Sequence, residues 1–240
     1  MQKKPLLVLL PNVINDEETD LNTFFPQEMI QFVSSIDGLI AESEKGGRSY
    51  LKRFPFPEGK TFRDIPIKVL SEHTKDHELT DLMGYVKTGV WGLISDAGLP
   101  CLADPGARLV LLARKEGVDV RAHVGPSSII MALMLSGLGA QKFSFEGYLP
   151  KDALDLTAKI KLLQQRAQKE GSTHVFIETP YRSIQLLEKL IATLDDKMKL
   201  SVSFDLTMPS QKVMTQTIKE WKRVAKIENQ KPLCVFVLSS

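Results

Sequence analysis

Two short runs of small and acidic residues stand within ten positions of each other, Asp96-Ala97-Gly98-Leu99-Pro100 and Ala103-Asp104-Pro105-Gly106. Carboxylates set among glycines and prolines offer proton-accepting groups on a backbone that a ligand can approach closely. An apolar run, Val90 to Ile94, leads into them, and residues from Ala107 to Ala113 follow with helical spacing. A strand that ends in a small-residue loop before a helix is where open α/β sheets place ligands. One Asp-Pro-Gly alone reads as a turn. Two such runs after a single strand predict a ligand loop.

Other chemistries lack their residues. No Gly-x-Gly-x-x-Gly follows the first apolar run and no Gly-x-x-x-x-Gly-Lys-Ser/Thr occurs, which argues against a nicotinamide dehydrogenase or a P-loop enzyme. No Ser/His/Asp order surrounds a nucleophile elbow. His73 and His77 form one i, i+4 pair flanked by Glu72 and Asp76; without a third ligand the pattern predicts a solvated helix face and no metal. Cys101 and Cys234 are too far apart for a metal-binding spacing. With 31 Lys and Arg against 29 Asp and Glu, the net charge of +2 requires any nucleic-acid binding to come from a local patch. No secretory leader pattern and no apolar run near ~20 residues is present, so a cytoplasmic location without a membrane segment is expected.

The elements that would position these groups alternate in type. Leu6–Leu10, Leu39–Ala41, Ile67–Leu70, Val90–Ile94 and Val118–His123 read as strands. Helical spacing falls between them from Leu21 to Gly38, from Ser71 or Thr74 to Lys87, and after Pro105. That alternation predicts a parallel sheet with helices on its faces. A nearly all-apolar helix, Ile129–Leu138, is expected to be buried on most sides. The second half changes texture: strands at Phe143–Glu146, Thr173–Glu178, Leu200–Phe204 and Leu233–Leu238 mix with helices after Asp152 and Thr179. The expectation is two α/β domains, 1–122 and 123–240. Lys45 to Lys68 interleaves seven Lys or Arg with Tyr50, Phe54, Phe56 and Phe62. Cations and aromatic faces suit phosphates and unstacked bases, and the same aromatics suit the core or a dimer interface; both readings are open. Lys212–Lys231 reads as a solvated helix face.

Several loops together carry a resemblance. Ser95-Asp96-Ala97-Gly98-Leu99-Pro100 with Asp104-Pro105-Gly106 resembles the Ser-Asp-Ala-Gly-Thr-Pro…Asp-Pro-Gly signature of the tetrapyrrole methylase superfamily, in its ribosomal RNA ribose-methylating branch. Val124-Gly125-Pro126-Ser127-Ser128, Phe145-Glu146-Gly147-Tyr148-Leu149-Pro150 and Phe176-Ile177-Glu178-Thr179-Pro180-Tyr181-Arg182 match in the same order, and Phe204-Asp205-Leu206-Thr207 resembles a weakened Arg-Glu-Leu-Thr. The chain departs from the pattern at its first two strand ends. Thr-Pro-Ile-Gly-Asn-Leu is replaced by Leu10-Pro11-Asn12-Val13-Ile14-Asn15, and Ala-Glu-Asp-Thr-Arg by Ala41-Glu42-Ser43-Glu44-Lys45. Leu99 stands where the family has threonine.

The resemblance implies a two-domain fold that binds S-adenosylmethionine in the cleft between the domains, and a homodimer. It implies cofactor contacts at Pro11, Ala97, Gly98, Leu99, Leu102, Ser127, Ser128 and Ile177; Ser127 and Ser128 could equally cap the helix after them. For in-line methyl transfer to a ribose hydroxyl, Asp96, Glu146, Glu178 and Arg182 are the catalytic candidates. Asp104 is open between a base and a helix N-cap. Glu146 and Glu178 end strands, and Arg182 opposes the dipole of its helix, which favours anion contact. The acceptor is expected to be RNA of the small ribosomal subunit, held through Lys45–Lys68. A tetrapyrrole or other small molecule is the alternative acceptor. The rewritten first two loops also admit a cofactor-binding module that no longer catalyses.

Overall fold

In the computed structural model, which describes residues 4–15, 20–224 and 233–240, the first apolar run pairs as a strand with a β neighbour on each side. The first unit, residues 1–127, runs β1 (Leu6–Leu9), α1 (Gln27–Val33), β2 (Gly38–Ala41), α2 (Glu44–Lys52), β3 (Ile67–Val69), α3 (Asp76–Val86), β4 (Val90–Leu93), α4 (Ala107–Lys115) and β5 (Asp119–Ala122). Its five strands lie in the order β3-β2-β4-β1-β5, and every pairing is parallel.

Successive residues of a strand face opposite sides, and both sides here are covered. Val8 and Leu39 meet Met29, Ile30 and Val33 of α1 and Tyr50 and Leu51 of α2. Leu7, Ile40 and Leu93 meet Leu79, Leu82 and Met83 of α3 and Leu109 and Ala113 of α4. The connection after β1 leads to β2 and that after β4 leads to β5, in opposite directions along the sheet. The carboxyl ends of β1 and β4 are therefore a topological switch point.

Several elements differ from the sequence expectation. Helix does not begin at Leu21: Asp20 caps a 3-10 turn at Leu21–Thr23, Pro26 follows, and α1 starts after it. The acidic residues 16–19 lie outside the described residues. Lys45–Lys68 opens with the helix α2, whose N-cap Ser43 accepts from the Gly46 N–H at 3.0 Å. Neither Ser71 nor Thr74 caps α3, which starts at Asp76 with Glu78 accepting from the Lys75 N–H at 2.7 Å. His73 therefore lies before the helix and His77 in it, so they form no helical pair.

The second unit, residues 128–240, runs α5 (Ser128–Ser136), β6 (Phe143–Tyr148), α6 (Ala153–Glu170), β7 (Thr173–Glu178), α7 (Ser183–Thr193), β8 (Lys199–Phe204), β9 (Lys212–Thr217), α8 (Ile218–Trp221) and β10 (Cys234–Ser239). Its sheet is mixed, in the order β6-β7-β10-β8-β9, with β6 and β7 parallel and the other pairs antiparallel. Asp152 caps α6 through the N–H groups of Leu154 and Asp155, and Gly171 ends it at φ +59°. Phe176 and Phe236 stack in the core at 5.5 Å. The expected helix face at Lys212–Lys231 is corrected: residues 212–217 pair with β8, only 218–221 are helical, and 225–232 lie outside the described residues. α5 is also less buried than its composition suggested. It covers the sheet with Ile129, Ala132 and Leu133 and exposes Ile130, Met134 and Leu135.

Candidate functional site

The loops after β1 and β4 are clasped together at the switch point, chiefly by Asn12. Its backbone N–H donates to the Gly98 carbonyl at 2.7 Å, and the Gly98 N–H donates to the Val13 carbonyl at 3.2 Å. The Asn12 side-chain amide donates to the carbonyls of Ser95 at 3.1 Å and Asp96 at 2.8 Å, while its Oδ1 accepts from the Val13 N–H at 2.9 Å. Buried backbone groups need such partners. The end of β2 joins through Glu42, whose Oε1 accepts from the Asp96 N–H at 3.0 Å. Tyr50 of α2 donates to the Pro11 carbonyl at 3.2 Å. Asn12 stands at a departure from the family pattern, and its side chain adds three hydrogen bonds to the clasp.

Three of the sequence motifs meet here. A Cβ on Gly125 would lie 2.1 Å from the Pro11 Cβ, so only glycine lets Pro11 rest against that segment. Gly98, at φ +66°, faces the Pro126 carbonyl, which a Cβ would approach to 3.6 Å. Pro11, Gly98 and Gly125-Pro126 thus share one wall, with Ala97 exposed and Leu99 half-buried beside it. Leu102 is exposed. Cys101 and Ala103 both hold φ 68°, a backbone conformation that non-glycine residues adopt at a cost and that clusters at ligand sites. Ser127 is buried at the end of the first unit and Ser128 opens α5.

The N-cap of α4 is Gly106, with no side-chain cap, so Asp104 is not a helix cap. Burial, then the charge of Glu42, pushes the Asp104 carboxyl up to about 6 against a hydrogen bond from Ser95, with Asp96 adding to the rise. Glu42 is raised as well, by burial first and by Asp96. Burial and Asp104 push the neighbouring Cys101 thiol up to about 11, which leaves it protonated.

Lys45–Lys68 divides by chemistry. Tyr50 and Phe54 are core residues and Phe56 and Phe62 pack against them, so the aromatics are not free faces for bases. Among the cations, Arg48 donates to the carbonyls of Phe62 and Ile65, both at 2.8 Å, and Lys60 to that of Ser34 at 2.6 Å. Arg63 and Lys68 lie over the rings of Phe62 and Tyr85. Arg48, Lys60 and Lys68 hold the segment in place, while Arg63 reaches only the ring beside it and stays exposed.

In the second unit Glu146 belongs to a polar network between β6 and β7. Its Oε1 accepts from Ser144 Oγ at 2.6 Å and lies 3.0 Å from His174 Nδ1; its Oε2 pairs with Lys159 at 2.8 Å. Burial alone would raise this carboxyl, but the hydrogen bonds from Lys159, Ser144 and His174 outweigh it and hold it down at about 2. The Glu178 side chain is fully buried. Its Oε1 accepts from the Thr179 N–H at 2.7 Å and its Oε2 pairs with Arg182 at 3.1 Å. Arg182 is the N-cap of α7, and this carboxylate compensates its charge against the helix dipole. Ile177 packs into the apolar cluster of Ile129, Leu133, Val175 and Val235. Thr207 holds φ 71° and its buried hydroxyl has no hydrogen-bond partner.

Comparison with known proteins adds four findings. Residues 48–222 match the family described as Tetrapyrrole (Corrin/Porphyrin) Methylases. The chain is 29% identical over 231 residues to "Ribosomal RNA small subunit methyltransferase I" of Vibrio cholerae serotype O1, covering 95% of this chain and 74% of that protein. With the protein of the same name from Thermotoga maritima it shares 25% identity over 205 residues, 85% of this chain and 86% of that one. In fold it is similar to a solved diphthine synthase, at a TM-score of 0.63 and 16% identity, covering 98% of this chain and 89% of that one.

Proposed function

The chain belongs to the tetrapyrrole (corrin/porphyrin) methylase family and is a methyltransferase; from that premise we propose that it uses S-adenosylmethionine to methylate a ribose 2′-hydroxyl of small-subunit ribosomal RNA. The observation that carries this reading is the clasp at the switch point, where the Pro11 ring rests on Gly125 and Gly98 lies against the Pro126 carbonyl. The wall fits the cofactor: Ala97 and Gly98 permit close approach, and Leu99 and Leu102 supply apolar contact. Ser127, Ser128 and Ile177 are the further proposed contacts, with Ser127 and Ser128 offered to the carboxylate. The ribosomal RNA acceptor is supported by the names of relatives that align with most of the chain.

When bound, the cofactor supplies a methyl group already activated on a sulfonium centre. What remains for the chain is to orient the acceptor hydroxyl and take its proton. Asp104 suits the second task, because a carboxyl near 6 is ionised at neutral pH and still holds a proton well. Asp96, at the exposed tip of the clasped loop, is the candidate for orienting the acceptor. Glu146, Glu178 and Arg182 would act from the second unit, as supports of its strand ends. The reading includes a cytoplasmic homodimer. The exposed apolar side chains of α5, Ile130, Met134 and Leu135, are a candidate contact surface that sedimentation of Met134→Lys tests.

The decisive measurement incubates the protein with labelled S-adenosylmethionine and small ribosomal subunits from cells lacking the modification. Label in an alkali-resistant dinucleotide is the expected result. Label in an offered tetrapyrrole instead would move the acceptor class. Cofactor binding without transfer to any acceptor would leave a non-catalytic module.

A further inference from the structure

At the carboxyl ends of β6 and β7, which lie side by side and run parallel, two tyrosines stand in solvent: Tyr148 is 59% exposed and Tyr181 73%. Single exposed apolar residues need no explanation. Here the backbone is shaped at both positions. Phe145 pairs with Val175, but Tyr148 rather than Gly147 pairs with Ile177, so β6 carries one extra residue. Gly147 absorbs it at φ +65°. Such a bulge breaks the alternation of faces and re-aims the side chain that follows. Tyr181 sits at the tip of a turn, where the Arg182 N–H donates to the Thr179 carbonyl at 3.0 Å across Pro180 and Tyr181. Arg182 also pairs with the buried Glu178 carboxylate at 3.1 Å, which ties the turn back to the strand. Both rings are thus presented by ordered backbone, which lowers the cost of binding. Leu154, in the first turn of α6, adds an apolar side chain 81% exposed at the same end of the sheet, and Lys151 adds an exposed cation before it.

We propose that Tyr148 and Tyr181 form a stacking platform for unpaired bases of the RNA acceptor. This rests on the RNA reading above and supplies what Lys45–Lys68 lacks, since Tyr50 and Phe54 are core residues. Tyrosine offers a flat apolar face that every base matches. The platform therefore tolerates sequence and selects single strands, whose bases are not already stacked in a duplex. Lys151 suits a phosphate of the same strand. A second copy of the chain fits the surface less well. The two rings offer on the order of 300 Å², against roughly 800 Å² that each partner buries in a stable protein–protein contact.

The test measures binding of a short unstructured RNA to the full-length protein, with the RNA free, annealed to its complement, or carrying abasic sites in place of its bases. Tyr148→Ala and Tyr181→Ala are each expected to weaken single-strand binding about tenfold, with the salt slope and the melting temperature unchanged. Tyr148→Phe and Tyr181→Phe keep the ring and are expected to bind within about twofold of wild type. Leu111→Ala, a loss of exposed apolar surface on α4, is expected to do the same. Phe variants as weak as the Ala variants, an abasic strand bound as tightly as the intact one, or duplex binding as tight as single-strand binding would overturn the proposal. If the wild-type protein binds no RNA at low salt, the RNA reading itself falls and takes the platform with it. Intact wild-type binding that the Ala variants leave unchanged rejects the platform alone, and altered sedimentation of those variants would then give the surface to a second copy of the chain.

Discussion

Asn12, Gly98 and Asp104 show how single residues set the chemistry of the clasped loops. Asn12 makes three side-chain hydrogen bonds to main-chain groups of two loops. Asn12→Ala would leave buried carbonyls short of donors, at a cost of about 2 kcal/mol, read as a fall in melting temperature of about 4–8 °C together with loss of methyl transfer. Gly98 sits at φ +66° with its face toward Pro126. A β-branched side chain there is strained by about 1–3 kcal/mol and covers the proposed cofactor wall. Gly98→Val is expected to abolish heat of binding in calorimetry with S-adenosylmethionine while the chain stays folded. Unchanged affinity would mean that this loop is not the wall. Asp104 has its carboxyl raised to about 6, by burial first. The stability linked to its protonation is complete below the ordinary carboxylate value near 3.8 and is lost as pH rises through about 6. Asp104→Asn should therefore be more stable than wild type at pH 7, match it below pH 3.8, and transfer methyl groups slowly. An Asn variant no more stable at pH 7 would show that the fold imposes no strain on this carboxylate.

At the scale of elements, the two sheets differ in what stabilises their strand ends. β1, β2 and β4 end in loops tied to one another by main-chain hydrogen bonds and by the side chains of Asn12 and Glu42, whereas β6 and β7 are joined by the Glu146–His174–Ser144 network with Lys159 from α6. The Glu146 carboxyl is held at about 2, below its ordinary value of 4.5. Its contribution to stability is complete above pH 4.5 and disappears as pH falls through 2. Urea unfolding of wild type and Glu146→Gln should differ most at neutral pH and converge on acidification, and a gap independent of pH would show that charge is not its source. Of the ten strands among the described residues, nine were legible in the sequence, most of them as apolar runs between turn residues. β9 was not, because Lys212, Thr215 and Gln216 leave it half exposed and its basic continuation resembles a helix face. α2 was hidden by Gly46 and Gly47, which lower helix propensity. Their reasons are tertiary: Gly46 admits the Asp96 carboxylate and Gly47 lies against Ile67 and Ala41. The loop at Asp96–Gly106 was legible because turn chemistry is local. The role of Asn12 was not, since its partners lie more than 80 residues away.

Across the whole molecule, charge bears most directly on the proposed substrate. Lys and Arg number 31 and Asp and Glu 29, so the chain as a whole offers a polyanion little long-range attraction. Proteins that hold nucleic acid by a broad basic face release many counterions and lose affinity steeply with salt. Within the basic segment Lys45–Lys68 the structure engages Arg48 and Lys60 through carbonyls and Lys68 over the Tyr85 ring. The two exposed lysines of α2, Lys45 and Lys52, then carry the charge that this helix turns to solvent. With about −0.7 in log–log slope per single-strand phosphate neutralised, two contacts give a slope of about −1.4. RNA affinity measured from low to physiological salt should fall by that modest power. Specificity for the acceptor must then come from shape and from the strand being unpaired rather than from charge. A slope steeper than about −4 would mean that a larger surface carries the binding, and the small-subunit RNA would have to be sought on another face of the chain.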